Sequence, residues 1–171
     1  MGDTEAEAEA QFRAFVLAHR DTLLRVALLI TTDRGRAEDL VQTALMRTYA
    51  RWDRLHDEDP FAYARRIIVN ANVDRWRRDR GRELLTDEVP DSVSPDLASG
   101  VGQRDALLRA LSSLPIQERR VIVLRFLVDL SEADTATELD IPIGTVKSVT
   151  HRAIRRLRAS AHTADFNEVT P

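Results

Sequence analysis

Residues 131–158, SEADTATELDIPIGTVKSVTHRAIRRLR, decide the fold. They read as two short helices with a tight turn between them. Ser131 stands where it can cap the first helix, and Asp134, three residues on, completes a capping-box-like pair. Ala136 is small where the second helix must cross closely. Leu139, Ile141, Val146 and Val149 recur at the apolar positions of a helix-turn-helix. Asp140 falls at the turn, and Asp tolerates the left-handed conformation better than most residues. Pro142 stops the first helix and can open the second.

The second of these helices has two faces. Val146, Val149, Ala153, Ile154 and Leu157 share one side; Lys147, Ser148, Thr150, His151, Arg152, Arg155, Arg156 and Arg158 lie mostly on the other. No acid occurs between Ile141 and Ala164. Cations neutralise phosphates, and Lys, Ser, His and Arg together can also read base edges in a major groove. The plain alternative is the solvated basic face of an ordinary core helix. The turn, the small Ala136 and the acid-free face favour duplex binding, with Lys147 and Arg152 toward base edges and Arg155 and Arg156, nearer the helix end, at phosphates.

Outward from this stretch, the chain of 171 residues suits one domain or two small ones. No run of about 18 apolar residues suggests a membrane span. The start, MGDTEAEAEAQ, lacks the basic-then-apolar order of a secretory leader. Cysteine is absent, which excludes disulfides and Cys-ligated zinc and fits a reducing cytoplasm. Ala, Leu, Arg and Glu dominate while Gly and Pro are sparse, so the expected class is all-α. A net charge of −3 argues against a general DNA binder, but the charge is arranged in blocks. Residues 65–82 hold seven arginines, residues 83–102 hold five acids and no Lys or Arg, and residues 147–158 are basic again.

Phe12, Phe15, Val16, Leu23, Val26, Ala27 and Ile30 form the apolar stripe of a first helix. Asp33 is placed to cap a second, expected to run from Arg34 to about Arg54. Leu40, Val41, Ala44, Leu45, Thr48, Tyr49 and Trp52 would be its buried side. Asp39, Gln42, Thr43, Met46 and Arg47 would be its outer one, a wet face or a partner surface. Residues 53–60, DRLHDEDP, read as a loop; three consecutive acids without EF-hand spacing or glycine make a poor metal site. No cofactor is expected. A third helix follows over residues 60–80, with Phe61, Ala64, Ile67, Ile68, Ala71 and Val73 inward. Tyr63, Arg66, Asn70, Asp74, Trp76, Arg77 and Arg78 interleave aromatic, amide and guanidinium groups, a combination that stacks on unpaired bases and holds a strand's phosphates. Half-buried amphipathic packing is the alternative for Tyr63 and Trp76.

These features divide the chain into four. Residues 1–82 form a first helical domain, 83–102 a flexible acidic linker, 103–160 a second helical domain with the helix-turn-helix, and 161–171 a disordered tail. In the second domain, one helix is expected to Leu114 and another, strongly apolar, from Ile116 to Val128. No nucleophile–base constellation, Walker loop or paired metal carboxylates appear, so the chain reads as a binding protein and not an enzyme.

AEDLVQTAL, then FAYARRIIVN with its Arg-rich end, then LPIQERRVIVLRFLVDL leading into the helix-turn-helix, resemble the extracytoplasmic-function (ECF) group of bacterial RNA polymerase sigma factors. Order and spacing match from Phe12 to Arg158. The resemblance implies a first domain that grips the clamp helices of core polymerase and opens the −10 promoter element. It implies a second domain that reads the −35 element as duplex, with the polymerase flap as a further contact and an anti-sigma factor as a further partner. Carried over by position, Asp39, Gln42, Thr43 and Met46 fall on the polymerase-binding helix, with Thr43 where many relatives have Glu. Tyr63, Arg66, Asn70, Asp74, Trp76, Arg77 and Arg78 fall on the −10 side, and the loop ending at Phe61 on the segment that captures a flipped base. Lys147, Ser148, His151, Arg152, Arg155 and Arg156 fall on the −35 side. Val149 stands where relatives often carry Arg, and Thr150 where they are often apolar. The implied function is promoter-directed transcription initiation in the cytoplasm; a stand-alone helix-turn-helix regulator is the alternative.

Overall fold

The computed structural model describes the backbone of residues 2–55, 58–83 and 102–167, and the side chains of residues 6–55, 58–71, 102 and 104–160. Every regular element among these is helical, in agreement with the all-α expectation. The chain separates into two compact units, Met1–Asp87 and Glu88–Pro171. The boundary falls inside the acidic segment, whose residues 84–101 lie outside those described.

The first unit contains α1 (Gly2–Thr31), α2 (Arg34–Tyr49), the single turn α3 (Trp52–Leu55) and α4 (Pro60–Glu83). Helices α1, α2 and α4 pack against one another. Leu23, Val26, Ala27 and Ile30 of α1 meet Ala37, Val41 and Ala44 of α2 and Ala64, Ile68 and Val69 of α4 in the core. The corner between α1 and α2 is held by polar bonds. The Thr31 hydroxyl donates to the Ala27 carbonyl at 2.9 Å, and Asp33 caps α2 by accepting from the Arg36 amide at 2.8 Å.

Helix α2 ends at Tyr49, short of the expected Arg54, and the chain re-enters helix as α3. The break turns Trp52 into a cluster of rings on α1: its centroid lies 5.1 Å from Phe12, edge-on at 79°, and 5.3 Å from Phe15. His19 stacks between Phe15 at 5.0 Å and Phe61 at 5.1 Å, joining α1 to the start of α4. Edge-to-face and tilted pairs of this kind add about 0.5–1.5 kcal/mol each beyond area burial. Tyr49, expected inside, contacts Phe12 at 4.8 Å yet remains 51% exposed. Asp59 caps α4, accepting from the Ala62 amide at 2.9 Å.

The second unit contains α5 (Gly102–Ser112), α6 (Ile116–Ile122), a π-helical turn (Val123–Leu127), α7 (Glu132–Leu139) and α8 (Ile143–Asn167). Arg119 closes the corner between α5 and α6, its Nη2 donating to the carbonyls of Ser112 at 3.1 Å and Leu114 at 3.0 Å. Burial lowers the pKa of its guanidinium. The expected single helix from Ile116 to Val128 is instead α-helical only to Ile122. The Val128 amide then bonds the Val123 carbonyl at 2.9 Å, the wider π spacing. Asp129 beyond it is left-handed at φ 61°, and Arg125 Nη1 donates to the Leu130 carbonyl. This winding keeps Val123 and Leu124 buried but leaves Phe126 and Leu127 exposed.

The helix-turn-helix forms as the sequence reads it. The Ser131 hydroxyl accepts from the Asp134 amide at 3.0 Å and donates to the Asp134 carboxylate at 2.6 Å. Asp140 ends α7 at φ 52°, ψ 51°, and the Ile141 amide bonds back to the Ala136 carbonyl at 3.1 Å. Helix α8 runs to Asn167, past the point where the apolar periodicity fades.

The left-handed Asp140 generates a test. Asp140→Gly removes the Cβ strain and the acid at a helix C-terminus, and should stabilise the protein by roughly 0.5–1 kcal/mol. Asp140→Val puts a β-branched residue there and should cost about 1–2 kcal/mol or more. Urea denaturation of the two variants checks the opposite signs.

Candidate nucleic-acid and partner surfaces

Helix α8 is divided lengthwise by its packing. Val146, Val149 and Ala153 are buried, on the side where α8 packs against α6 and α7. Lys147, Ser148, His151, Arg152, Arg155, Arg156 and Arg158 are all exposed. Burying one Val is worth about 1.5–3 kcal/mol, whereas an exposed ion pair is worth less than about 1. The apolar side therefore sets the orientation of the helix, and the cations take the opposite side as a result. Burial of Val149 also removes that position from the exposed face. Thr150 is half-buried, with its hydroxyl donating to the Val146 carbonyl at 2.8 Å.

Two of the cations are tied to carboxylates that the sequence reading did not connect to them. Lys147 Nζ lies 3.7 Å from Glu132 Oε2 at the start of α7; the side chains are 58% and 38% exposed. Arg156 Nε lies 3.0 Å from Glu118 Oε2 on α6, and the Glu118 side chain is only 8% exposed. This second contact lacks hydrogen-bond alignment, and no hydrogen bond reaches that carboxylate oxygen. The sequence offers little signal for this pair, because Glu118 stands between Gln117 and Arg119 in α6. Arg156 thus has a structural tie in addition to the phosphate role expected of it.

On the first unit, Asp39, Gln42 and Met46 follow one another along an exposed stripe of α2, which the exposed Tyr49 extends. Met46 is 71% exposed, an unbranched apolar side chain offered to solvent among polar neighbours. Thr43 is half-buried and its hydroxyl is turned back to the Asp39 carbonyl at 2.9 Å. The omission of Tyr49 from the sequence-based set follows from its assignment to the core.

The candidate strand-binding residues are partly brought together. Tyr63 is half-buried and the Arg51 guanidinium lies over its ring, 5.6 Å from the centroid, a cation on an aromatic face that the sequence reading missed. Arg66 is exposed and Asn70 half-buried on the same helix. Asp74, Trp76, Arg77 and Arg78 belong to the backbone of α4, but their side chains lie outside the described residues. Among the described residues, no three His, Asp or Glu side chains come together as a metal site, and no helix is long and apolar enough to cross a membrane.

Comparison with known proteins matches this division of the chain. Residues 15–82 match the family model of sigma-70 region 2, and residues 104–157 that of sigma-70 region 4. The RNA polymerase sigma-E factor of Streptomyces avermitilis is 37% identical over 158 residues, covering 92% of this chain and 88% of the relative. The ECF RNA polymerase sigma factor SigL of Mycobacterium tuberculosis is 36% identical over 163 residues, covering 92% of each. Among solved structures, the sigma factor RpoE in complex with the anti-sigma factor NepR from Bartonella quintana aligns with a TM-score of 0.65 at 28% identity, over 86% of this chain and 94% of that one. The chain belongs to the ECF family of RNA polymerase sigma factors.

The two ion pairs of α8 should separate by their burial. Lys147→Ala breaks an exposed pair and should change stability by less than about 0.5 kcal/mol. Arg156→Ala leaves a buried carboxylate without its cation and should cost roughly 1–3 kcal/mol, discounted from a fully buried pair because Arg156 is itself 59% exposed. Chemical denaturation of both variants at one ionic strength checks the order.

Proposed function

We propose that this protein binds core RNA polymerase and directs it to promoters, with the second unit reading the −35 element as duplex and the first melting and capturing the −10 element. The exposed cation row of α8, set in a helix-turn-helix within a chain of this family, carries the reading. Lys147, Ser148, His151 and Arg152 meet base edges, where Arg or Lys to guanine is the commonest specific contact. Arg155 and Arg156 meet phosphates, which set register and not sequence.

On the first unit, Tyr63, Arg66, Asn70, Asp74, Trp76, Arg77 and Arg78 hold the separated strand, and the loop before Phe61 takes the flipped base. Unstacking costs a few kcal/mol per base, which is why a larger machine must share the work. Asp39, Gln42, Thr43 and Met46 contact the clamp helices of the polymerase large subunit, and the flap meets the second unit. The protein acts in the cytoplasm by binding and not by catalysis. The likeness to RpoE, solved with NepR, supports an anti-sigma partner for this chain as well.

The α2 stripe supplies the experiment. Asp39 is exposed, so Asp39→Arg should leave the helical circular-dichroism signal unchanged. It should weaken binding to core polymerase by at least roughly tenfold, because a reversed charge at a complementary interface adds repulsion. Promoter-dependent transcription should fall with it. Wild-type affinity in a titration against core polymerase would remove Asp39 from the interface.

A further inference from the structure

We propose that Glu118 is a positioning residue for DNA binding, holding Arg156 in the geometry in which it meets a phosphate. The inference rests on the −35 reading of α8. Three observations carry it. The Glu118 side chain is 8% exposed and comes from α6, a different helix from the cations. Its Oε2 faces Arg156 Nε at 3.0 Å. The Arg156 side chain is nonetheless 59% exposed, so the pair does not withdraw the guanidinium from solvent.

The chemistry of the two groups gives this arrangement a direction. Guanidinium presents five N–H donors in a planar fork, and Nε–H supplies one of them. The Glu118 contact at Nε is an ion pair without hydrogen-bond alignment, and it leaves the Nη groups available to a second anion. A flexible surface arginine loses much of its rotamer freedom when it binds. A buried carboxylate fixed in α6 restricts Arg156 before DNA arrives. It also adds the specificity of position that an isolated cation lacks, since α6 and α8 pack directly together. Lys147 and Glu132 form no such device: the Lys147 side chain is exposed and Glu132 only half-buried, and their 3.7 Å contact is readily screened by salt.

The opposite reading is that Glu118 competes with phosphate for Arg156. The two readings differ in sign. The test uses full-length protein bound to core polymerase, and as probe a promoter duplex selected by the wild-type complex from random upstream sequence. Glu118→Gln keeps the shape of the side chain and removes its charge. Positioning predicts binding weakened by roughly three- to tenfold on every upstream sequence alike. It also predicts a salt slope shallower by up to about one counterion, as for one lost phosphate contact. Adding Arg156→Ala to Glu118→Gln should then cost less than Arg156→Ala costs in the wild type. Arg156→Lys, which retains charge but cannot offer two edges, should behave like Glu118→Gln even if the latter folds poorly. Unchanged or tighter binding by Glu118→Gln, or full additivity of the two substitutions, overturns the proposal. Failure of the wild-type complex to select any upstream sequence overturns the −35 reading itself.

Discussion

Burial of Val146, Val149 and Ala153 is the constraint on which the second unit depends. These residues fall on one side of α8 because the helix repeats every 3.6 residues, and they are buried where α6 and α7 enclose them. The exposed polar face of α8 follows from that choice. Lys147, Ser148, His151, Arg152 and Arg155 are exposed because the positions between them are apolar. The sharp turn at Asp140 sets α7 and α8 at the angle that makes this packing available. Apolar contacts supply the energy, while the polar groups decide what the resulting surface recognises.

The first unit uses the same division with different contents. Ala37, Val41 and Ala44 bury one side of α2. The other side offers an acid, an amide, a thioether and a phenol in sequence. Such a stripe suits a protein partner better than a polyanion, since it combines exposed apolar area with few cations. Helix α4 differs again, with an arginine-rich end beyond a buried apolar start. Helices α2 and α8 thus present two kinds of surface, each oriented by an apolar core.

Much of this was legible in the sequence because it rests on local rules. Asp33 and Ser131 were readable as caps, Asp140 as the left-handed turn and Val146–Val149–Ala153 as a buried side, since each depends on neighbours within a few residues. The family was readable because several such pieces occur in one order. What was not legible depends on contacts between distant residues. The break after Tyr49 reflects the demand of Phe12 and Phe15 for Trp52, about forty residues away in sequence by their numbers. The π turn at Val123–Leu127 leads into the left-handed Asp129, a backbone change that helix propensity does not report. No local rule singles out Glu118; only the packing of α8 on α6 brings Arg156 beside it. Periodicity shows which side of a helix is buried, but not which charged group stands opposite.

On the function proposed, duplex reading and strand capture belong to separate units of one chain. Transcription by core polymerase with the Arg152→Ala variant, on duplex templates and on templates already melted around the −10 element, tests it most directly. Arg152 is exposed on α8, where loss of a base contact costs about 1–3 kcal/mol of discrimination. The expected result is lost preference among upstream sequences on duplex DNA, with activity on pre-melted DNA retained. Equal loss of activity on both templates, with polymerase binding intact, would contradict it.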